Sequence, residues 1–586
     1  MKILLITTTF LPRFGGVEKF LANLFNQPSW EVEVLCEPTE SVAHGWKIIR
    51  QPLLSHKFFR PSWLPTIWQI PKLVKKNHYD LIVLGHYAPY LTSALRCRKK
   101  FGTKVMVITH GMDVLSYDMA GGLRRRMLRK NLPQADLVIA NSQYTNGHLK
   151  RLGVAESRRI VLTPGASLPE SAVSKIEARK TLGLPVNSQV LLTVGRLVKR
   201  KGHLIAIEAF SRLCQGFGGQ ASLSQKYPNL HYLIVGRGPE EGRIRQRIDK
   251  HKLANRVHLI NNLEDINLAY AAADLFIFPS VELANGDVEG FGLVSAEAQM
   301  HGLPVIGSNS GGIPETIEKG LTGEIVEPGK ADEIAKAIEP FLNHPDQLLR
   351  YSERASKFAK QHFNWEDRRK KILELLQLIN SVPSAKISVV IPAFNAEKTL
   401  AKIITDLQNQ TLKPSEIIVV NDGSKDKTAE IVKQFKVELI KQENRGAPAA
   451  RNVGFAKTTG QFILYCDADV ELHPQMLERM ARALLLHPEA GYAYCDFKFG
   501  WHTFDLFDFD AERLKKGNYI STMSLLRREN CIGFDESLKR YQDWDLWKRL
   551  LEKGVKGIWV PGRMFNTGLG KGISRDSVKD LLKQVK

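Results

Sequence analysis

The sequence predicts an α/β protein, with two doubly wound, Rossmann-like domains followed by a single, separate α/β domain. Three observations predict it. Short, fully apolar runs alternate with amphipathic, helix-like segments along most of the 586 residues. That alternation marks parallel strands covered on both faces. The pattern breaks twice, at "TPGASLPESAVSK" from Thr163 and at "SVPSA" from Ser381, and a fresh strand–helix pattern then opens at "KISVVIPAFN".

The first domain, 1–165, takes its strands from "KILLITT", "DLIVLG", "KVMVITHG" and "ADLVIANS". The second, 166–380, takes them from "VLLTVGR", "HYLIVGRG", "RVHLI", "DLFIFPS" and "PVIGSN". It closes with a helix over Trp365–Asn380, where Ile372, Leu375, Leu376 and Ile379 fall on one face. The third, 384–586, uses "KISVVIPAFN", "SEIIVVNDGS" and "GQFILYCDAD". A Gly/Gln/Ser-rich stretch at 213–225 is expected to be an insertion loop without a function of its own.

Composition bounds the class. Apolar residues make up 43% and charged residues 25%, which suits globular domains with real cores. The net charge is +22, and residues 1–380 hold 51 Lys and Arg against 35 Asp and Glu, hence +16 of it. Such a surface attracts phosphates of nucleotides, nucleic acids or anionic lipids without choosing among them. The six cysteines form no CxxC pair, so neither a disulfide framework nor a zinc pattern is expected. "MKILLITTTF" lacks a cleavage site and is expected to be a first strand. The uncharged stretch Leu81–Leu95 is too short for a bilayer. The expected location is cytoplasmic, with peripheral contact at the inner face of the cell membrane left open.

Phosphate-binding chemistry recurs at strand ends. Gly15 and Gly16 stand where a helix begins after the first strand, and glycines there let backbone N–H groups approach an anion. In "VGRLVKRKGH", Arg196 follows a strand and Lys201 precedes Gly202 and a helix, a pair suited to a diphosphate. In "VEGFGLVSAEAQ", Glu289 precedes Gly290 and Gly292, and Glu297 follows about two turns into a helix. Two carboxylates so spaced suit the hydroxyls at opposite ends of a nucleotide-sugar.

On these motifs, residues 1 to about 380 resemble glycosyltransferase family 4, retaining enzymes of the two-domain GT-B fold. The resemblance implies that Gly15 and Gly16 lie by the donor diphosphate and that Arg196 and Lys201 bind it. It implies that Glu297 holds the ribose and that Glu289 faces the transferred sugar. His110 in "THGMD" matches the family's His near that sugar, although a lone His there would otherwise be a core or loop residue. Helix 365–380 would pack back on the first domain. No metal is implied for this part.

The third domain ends an apolar strand with "YCDADVE", two carboxylates at Asp467 and Asp469. A strand ending in Asp-x-Asp presents oxygens to a hard cation, which fills its other positions with water and substrate phosphates. Asp422 stands just past the second strand in "VVNDGS", where a carboxylate can reach a base or ribose. "RYQDWDLWKRL" places Asp543 and Asp545 at the start of a helix. Together with "VVIPAFN" and "ENRGAPAARNVG", these motifs make residues 386 to about 560 similar to glycosyltransferase family 2, inverting GT-A enzymes dependent on Mg²⁺ or Mn²⁺. The resemblance implies that Pro392, Asp422 and Asp467 serve the donor, that Asp467 and Asp469 hold the metal, and that Asp543 is the general base. Two departures stand out: Gln542 replaces the usual Glu, and "RMFNTGLGKGIS" lacks a His.

The expectation is a bifunctional glycosyltransferase using nucleotide-sugar donors and a glycan or lipid-linked acceptor, in cell-surface polysaccharide or glycolipid synthesis. One alternative keeps a single module active and the other as a docking domain. A second, a basic nucleic-acid-binding protein, has no recognisable binding motif, so nucleic acid is not an expected partner.

Overall fold

The computed structural model describes residues 1–11, 15–38, 45–53, 63–86, 90–111, 113–115, 122–167, 173–215 and 226–567. The expected insertion, from residue 216 on, and the segment after Thr567 where the family His is missing lie outside the described residues. Packing divides the chain into two compact units. One holds 1–154 and 159–373, and the other holds 155–158 and 374–586.

The first unit contains two parallel sheets. The first sheet comprises β1 (Lys2–Ile6), β2 (Glu31–Cys36), β3 (Lys47–Arg50), β4 (Leu81–Leu84), β5 (Lys104–Thr109), β6 (Leu137–Ala140) and β7 (Arg159–Val161), in spatial order 3-2-1-4-5-6-7. The second comprises β8 (Gln189–Val194), β9 (Leu230–Val235), β10 (Val257–Ile260), β11 (Leu275–Phe278), β12 (Val305–Ser308) and β13 (Gly323–Val326), in order 10-9-8-11-12-13. The apolar runs form these strands because both faces are covered. All four residues of β4 and of β11 are buried, and each such apolar side chain contributes about 1.5–3 kcal/mol over an exposed one.

Strand order reverses between β1 and β4 in one sheet and between β8 and β11 in the other. Crevices outside strand C-termini at such reversals are where open α/β sheets take ligands. The helix Trp365–Asn380 returns to the first sheet's domain. The Trp365 ring lies 5.9 Å from Phe20, and Arg368 Nη2 donates to Thr163 Oγ1 at 2.7 Å. A Cβ at Gly165 would fall 2.5 Å from the Trp365 ring, so the indole sits flat against bare backbone there.

The second unit is built on one mixed sheet of β14 (Ile387–Ala393), β15 (Glu416–Asp422), β16 (Glu438–Gln442), β17 (Phe462–Tyr465), β18 (Val470–Leu472), β19 (Ala490–Phe499), β20 (His502–Phe504), β21 (Leu525–Arg527) and β22 (Lys556–Thr567). The order is 16-15-14-17-21-19-22-18, with β20 paired to β19. The first four are parallel, whereas β21 runs antiparallel to β17 and β19. Strand order reverses between β14 and β17, so the ends of β14, β15 and β17 open on one crevice.

Candidate active sites

In the first unit, the motif residues lie on segments that follow strand C-termini, most of them strands that flank a reversal. Gly15 and Gly16 open the helix Gly16–Phe25 after β1, and His110 follows β5. Arg196 and Lys201 follow β8, and Glu289 follows β11. The two domains touch through bare backbone. A Cβ on Gly290 would fall 2.2 Å from the His110 carbonyl oxygen, and one on Gly111 (φ +97°) would fall 2.7 Å from Gly290 Cα. Only glycine allows this approach, and it sets His110 and Glu289 on adjoining loops.

Glu289 is enclosed by cations. Lys201 Nζ lies 2.6 Å from Glu289 Oε2, and Arg200 binds the same oxygen while its Nε meets Asp287 at 2.8 Å. Burial pushes the Glu289 carboxyl up, but Lys201 and Arg200 outweigh it and hold the carboxyl down at about 2. Burial lowers the Lys201 ammonium, with Glu289 opposing. Arg196 is exposed, with no ion pair or side-chain hydrogen bond among the described residues.

His110 is half-buried, with its Nε2 shielded from solvent. Burial, then the neighbouring His86 ring 6.2 Å away, lower its pKa to about 3, against a hydrogen bond to the Gly85 backbone. The imidazole is therefore neutral near pH 7, and its buried Nε2 has no partner among the described residues.

Glu297 receives Lys19 Nζ at 2.5 Å on one oxygen and the Tyr270 hydroxyl at 3.0 Å on the other. Glu315 of the "GGIPE" run accepts from the backbone N–H groups of Gln143 and Tyr144 at 2.7 and 2.8 Å, capping a helix of the first domain from the second. Lys19, Arg200, Tyr270 and Glu315 were not singled out by their sequence positions. Arg200 and Lys19 sit in ordinary charged runs, and only Glu315 lies in a glycine-flagged motif.

The second unit gathers its own set. Pro392 lies in β14 just beyond the last residue paired to β17, so its missing N–H leaves no gap in that ladder. Asp422 is buried at the end of β15. Its carboxylate accepts from Gln442 Nε2 at 2.7 Å and from the Arg445 and Gly446 backbone at 2.8 Å each. Its charge is spent on the turn that opens the helix Ala447–Phe455.

That helix carries Arg451, whose side chain is 8% exposed. Its Nη2 donates to Asp467 Oδ1 at 2.8 Å and its Nη1 to Gln542 Oε1 at 3.1 Å, with the guanidinium 5.1 Å from the Phe534 ring. Tyr541, at φ +57°, turns the chain into the helix Gln542–Glu552. Asp543 then accepts from Asn518 Nδ2 at 2.7 Å and from the Trp544 N–H at 2.9 Å. Burial raises the Asp543 carboxyl against these bonds and the Arg451 charge.

Asp467 and Asp469 leave β17 together. Partial loss of hydration, then the Asp467 carboxylate, raise the Asp469 carboxyl. Asp469 has no side-chain partner among the described residues. Two hard carboxylates that repel each other, one unpaired, fit Mg²⁺ or Mn²⁺. No group of three or more His, Cys, Asp or Glu able to hold a metal occurs among the described residues, so an ion here would complete its shell with water and phosphate oxygens.

Comparison with known proteins matches "Glycosyltransferase Family 4" over residues 14–168, "Glycosyl transferases group 1" over 174–358 and "Glycosyl transferase family 2" over 388–582. A GDP-mannose-dependent monoacylated alpha-(1-6)-phosphatidylinositol monomannoside mannosyltransferase of Corynebacterium glutamicum is 28% identical over 394 residues, 64% of this chain and 98% of that protein. A GDP-mannose-dependent alpha-(1-6)-phosphatidylinositol monomannoside mannosyltransferase of Mycobacterium tuberculosis is 26% identical over 398 residues, with the same two shares. Among solved structures, Anabaena Alr3699/HepE in complex with UDP shares the fold at TM-score 0.54 and 23% identity, covering 64% of this chain and all of that one.

Proposed function

This chain is a glycosyltransferase, a family 4 module at 14–358 followed by a family 2 module at 388–582, and we propose that both modules are catalytic. The first would be retaining and metal-independent, the second inverting and dependent on Mg²⁺ or Mn²⁺. Each would draw on a nucleotide-sugar. The observation that supports this best is convergence within each module separately. His110 and Glu289 adjoin through the Gly111–Gly290 contact, and Arg451 ties Asp467 to the residue before Asp543.

In the first module, the backbone at Gly15 and Gly16 together with Arg196 and Lys201 would take the donor diphosphate. Glu297 would hold the ribose. Glu289, kept ionised by Lys201 and Arg200, would accept hydrogen bonds from the transferred sugar. The neutral His110 would offer Nε2 to the same sugar. The acceptor hydroxyl would attack from the face the diphosphate leaves, and its proton would pass to the departing phosphate oxygen.

In the second module, Asp543 would take the proton of the acceptor hydroxyl as the new C–O bond forms and the bond from the anomeric carbon to the diphosphate breaks. Its raised pKa suits a base that must hold that proton. A divalent ion held by Asp467 and Asp469 would supply Lewis-acid neutralisation of the leaving diphosphate. Pro392 and Asp422 would border the nucleotide, Asp422 by holding the Arg445–Gly446 turn.

The acceptor we propose is a glycan or lipid-linked sugar in cell-surface polysaccharide or glycolipid synthesis, as the C. glutamicum and M. tuberculosis relatives act on phosphatidylinositol monomannosides. The helices Thr66–Asn77, Leu91–Phe101 and Gly122–Asn131 pack side by side in the first domain and contain no Asp or Glu. Lys72, Lys75 and Lys76 are exposed there, as is Trp68 at 59%. That surface suits anionic headgroups of the inner leaflet. No helix among the described residues is long and apolar enough to cross a membrane. Incubating the chain with nucleotide-sugars and extracted membrane lipids tests the reading by mass spectrometry. Lipids heavier by sugar residues, and salt-sensitive binding to anionic vesicles, are the expected results. Product formation on free sugars alone would contradict the lipid acceptor.

A further inference from the structure

Arg451 is a buried cation that, among the described residues, touches one carboxylate directly, with the Asp543 carboxylate near enough to feel its charge. Its Nη2 meets Asp467 Oδ1 at 2.8 Å, and the acceptor on its Nη1 is the neutral Gln542. The Gln542 amide is not free to turn, because its Nε2 donates to the Leu538 carbonyl at 3.0 Å. Its carbonyl oxygen therefore faces the guanidinium and offers a dipole where a glutamate would offer a charge. A buried guanidinium needs an anion, and here the demand falls on Asp467. Of the two carboxylate oxygens, Oδ1 is committed to Arg451, while Oδ2 has, among the described residues, only the Thr522 hydroxyl at 3.5 Å.

We propose that Arg451 competes with the divalent ion for Asp467, and that the neutral Gln542 strengthens this competition. The free second module would then hold a metal weakly, and firm binding would require donor diphosphate oxygens beside Asp469. The inference rests on the reading of Asp467 and Asp469 as the metal site. Arg451 acts in it as a positioning residue, through Asp467, without touching substrate. A carboxylate at 542 would relieve Asp467 by giving Arg451 a second anion in direct contact. The change is sterically small and adds an acid to the first turn of the helix Gln542–Glu552, where an acid is favourable.

The test is Mn²⁺ binding to the full chain without any nucleotide-sugar, followed by the loss of the free-ion electron paramagnetic resonance signal. Wild type is compared with Gln542→Glu, Arg451→Gln, the double variant and Asp469→Asn. The expected result is about fivefold tighter binding in Gln542→Glu, the size of a typical coupling between neighbouring charges. Arg451→Gln should also bind more tightly. Adding Gln542→Glu to Arg451→Gln should change affinity by less than about twofold, because the residue it acts through is gone. If Asp469→Asn loses Mn²⁺ while Gln542→Glu gains nothing, or gains as much without Arg451 as with it, the competition is overturned and the metal site stands. If Asp469→Asn binds Mn²⁺ like wild type, the metal site itself is wrong, and the inference falls with it.

Discussion

Lys19 and Glu297 lie 2.5 Å apart, joining the helix that follows Gly15–Gly16 to the helix that follows the Glu289 loop. The pair spans the cleft between the two parallel sheets, and Tyr270 holds the other Glu297 oxygen at 3.0 Å. A ribose bound at Glu297 must share the carboxylate with this ammonium. Replacing Glu297 with Gln should raise the donor KM of the EDTA-resistant activity about tenfold, a loss of about 1.4 kcal/mol of binding. Its kcat should stay within about twofold. A fall in kcat at unchanged KM would place Glu297 in the chemistry instead.

Glu289 should stabilise the fold as well as serve the site. Its folded pKa, about 2, lies below the ordinary 4.5. Its contribution is therefore present above the ordinary value and is lost as pH falls toward about 2. Glu289→Gln should cost about 2–4 kcal/mol at pH 7, because Arg200 and Lys201 lose their shared anion. The gap between variant and wild type in denaturant titrations should close as pH is lowered from 5 to 2. A gap that does not change with pH would show that the carboxylate's charge is not what stabilises.

Asp469 should behave in the opposite way. Its folded pKa is raised, by partial loss of hydration and then by Asp467. The ionised carboxylate is thus a stability cost above that pKa, relieved as pH falls. Asp469→Asn should melt at or above the wild-type temperature without metal and should gain nothing from Mn²⁺, whereas wild type with donor should. Melting curves with and without Mn²⁺ and donor decide this. A variant that melts lower and still responds to Mn²⁺ would remove Asp469 from the metal site.

The acid limb of the metal-dependent activity should follow Asp543. Burial, opposed by Asn518, the Trp544 N–H and Arg451, raises this carboxyl above its ordinary 3.8. The kcat/KM profile should therefore fall at a pH above that value. Asp543→Asn should lower kcat about 10²–10⁴-fold, the usual worth of a general base, with little change in donor KM. A variant that keeps its rate would leave Asp543 as a half-buried helix-start carboxylate and nothing more.

The strands and their edges were legible in the sequence because burial on both faces demands unbroken apolar runs, as in "LIVL" at Leu81–Leu84 and "LFIF" at Leu275–Phe278. The helix stripe at Ile372, Leu375, Leu376 and Ile379 was legible for the same reason, and all four are buried. The glycine-marked loops carried their own signal, since Gly111 and Gly290 stand where no side chain fits. The cations that complete the sites did not. Arg200 stands in a run of basic residues whose ordinary fate is a solvated face. Arg451 is one charge among the apolar and small residues of a short helix. Their roles come from tertiary approach, to Glu289 in one case and to Asp467 and Gln542 in the other. Asp422 shows the same limit. A carboxylate at a strand end suits a nucleotide, and spacing alone could not reveal that the turn at Arg445 and Gly446, more than twenty residues on, takes its oxygens. The mixed third sheet was hidden too, because β21 has only three residues and carries no readable period.

The central claim is two active sites of different chemistry in one chain. The most direct measurement is nucleoside-diphosphate release from a panel of nucleotide-sugars, with and without EDTA, by wild type, Glu289→Ala and Asp469→Ala, with membrane lipid extract as acceptor. The account predicts one donor turnover that survives EDTA and is lost in Glu289→Ala, and another that needs metal and is lost in Asp469→Ala. A single activity, abolished by one of these substitutions and indifferent to the other under every donor and acceptor, would contradict it.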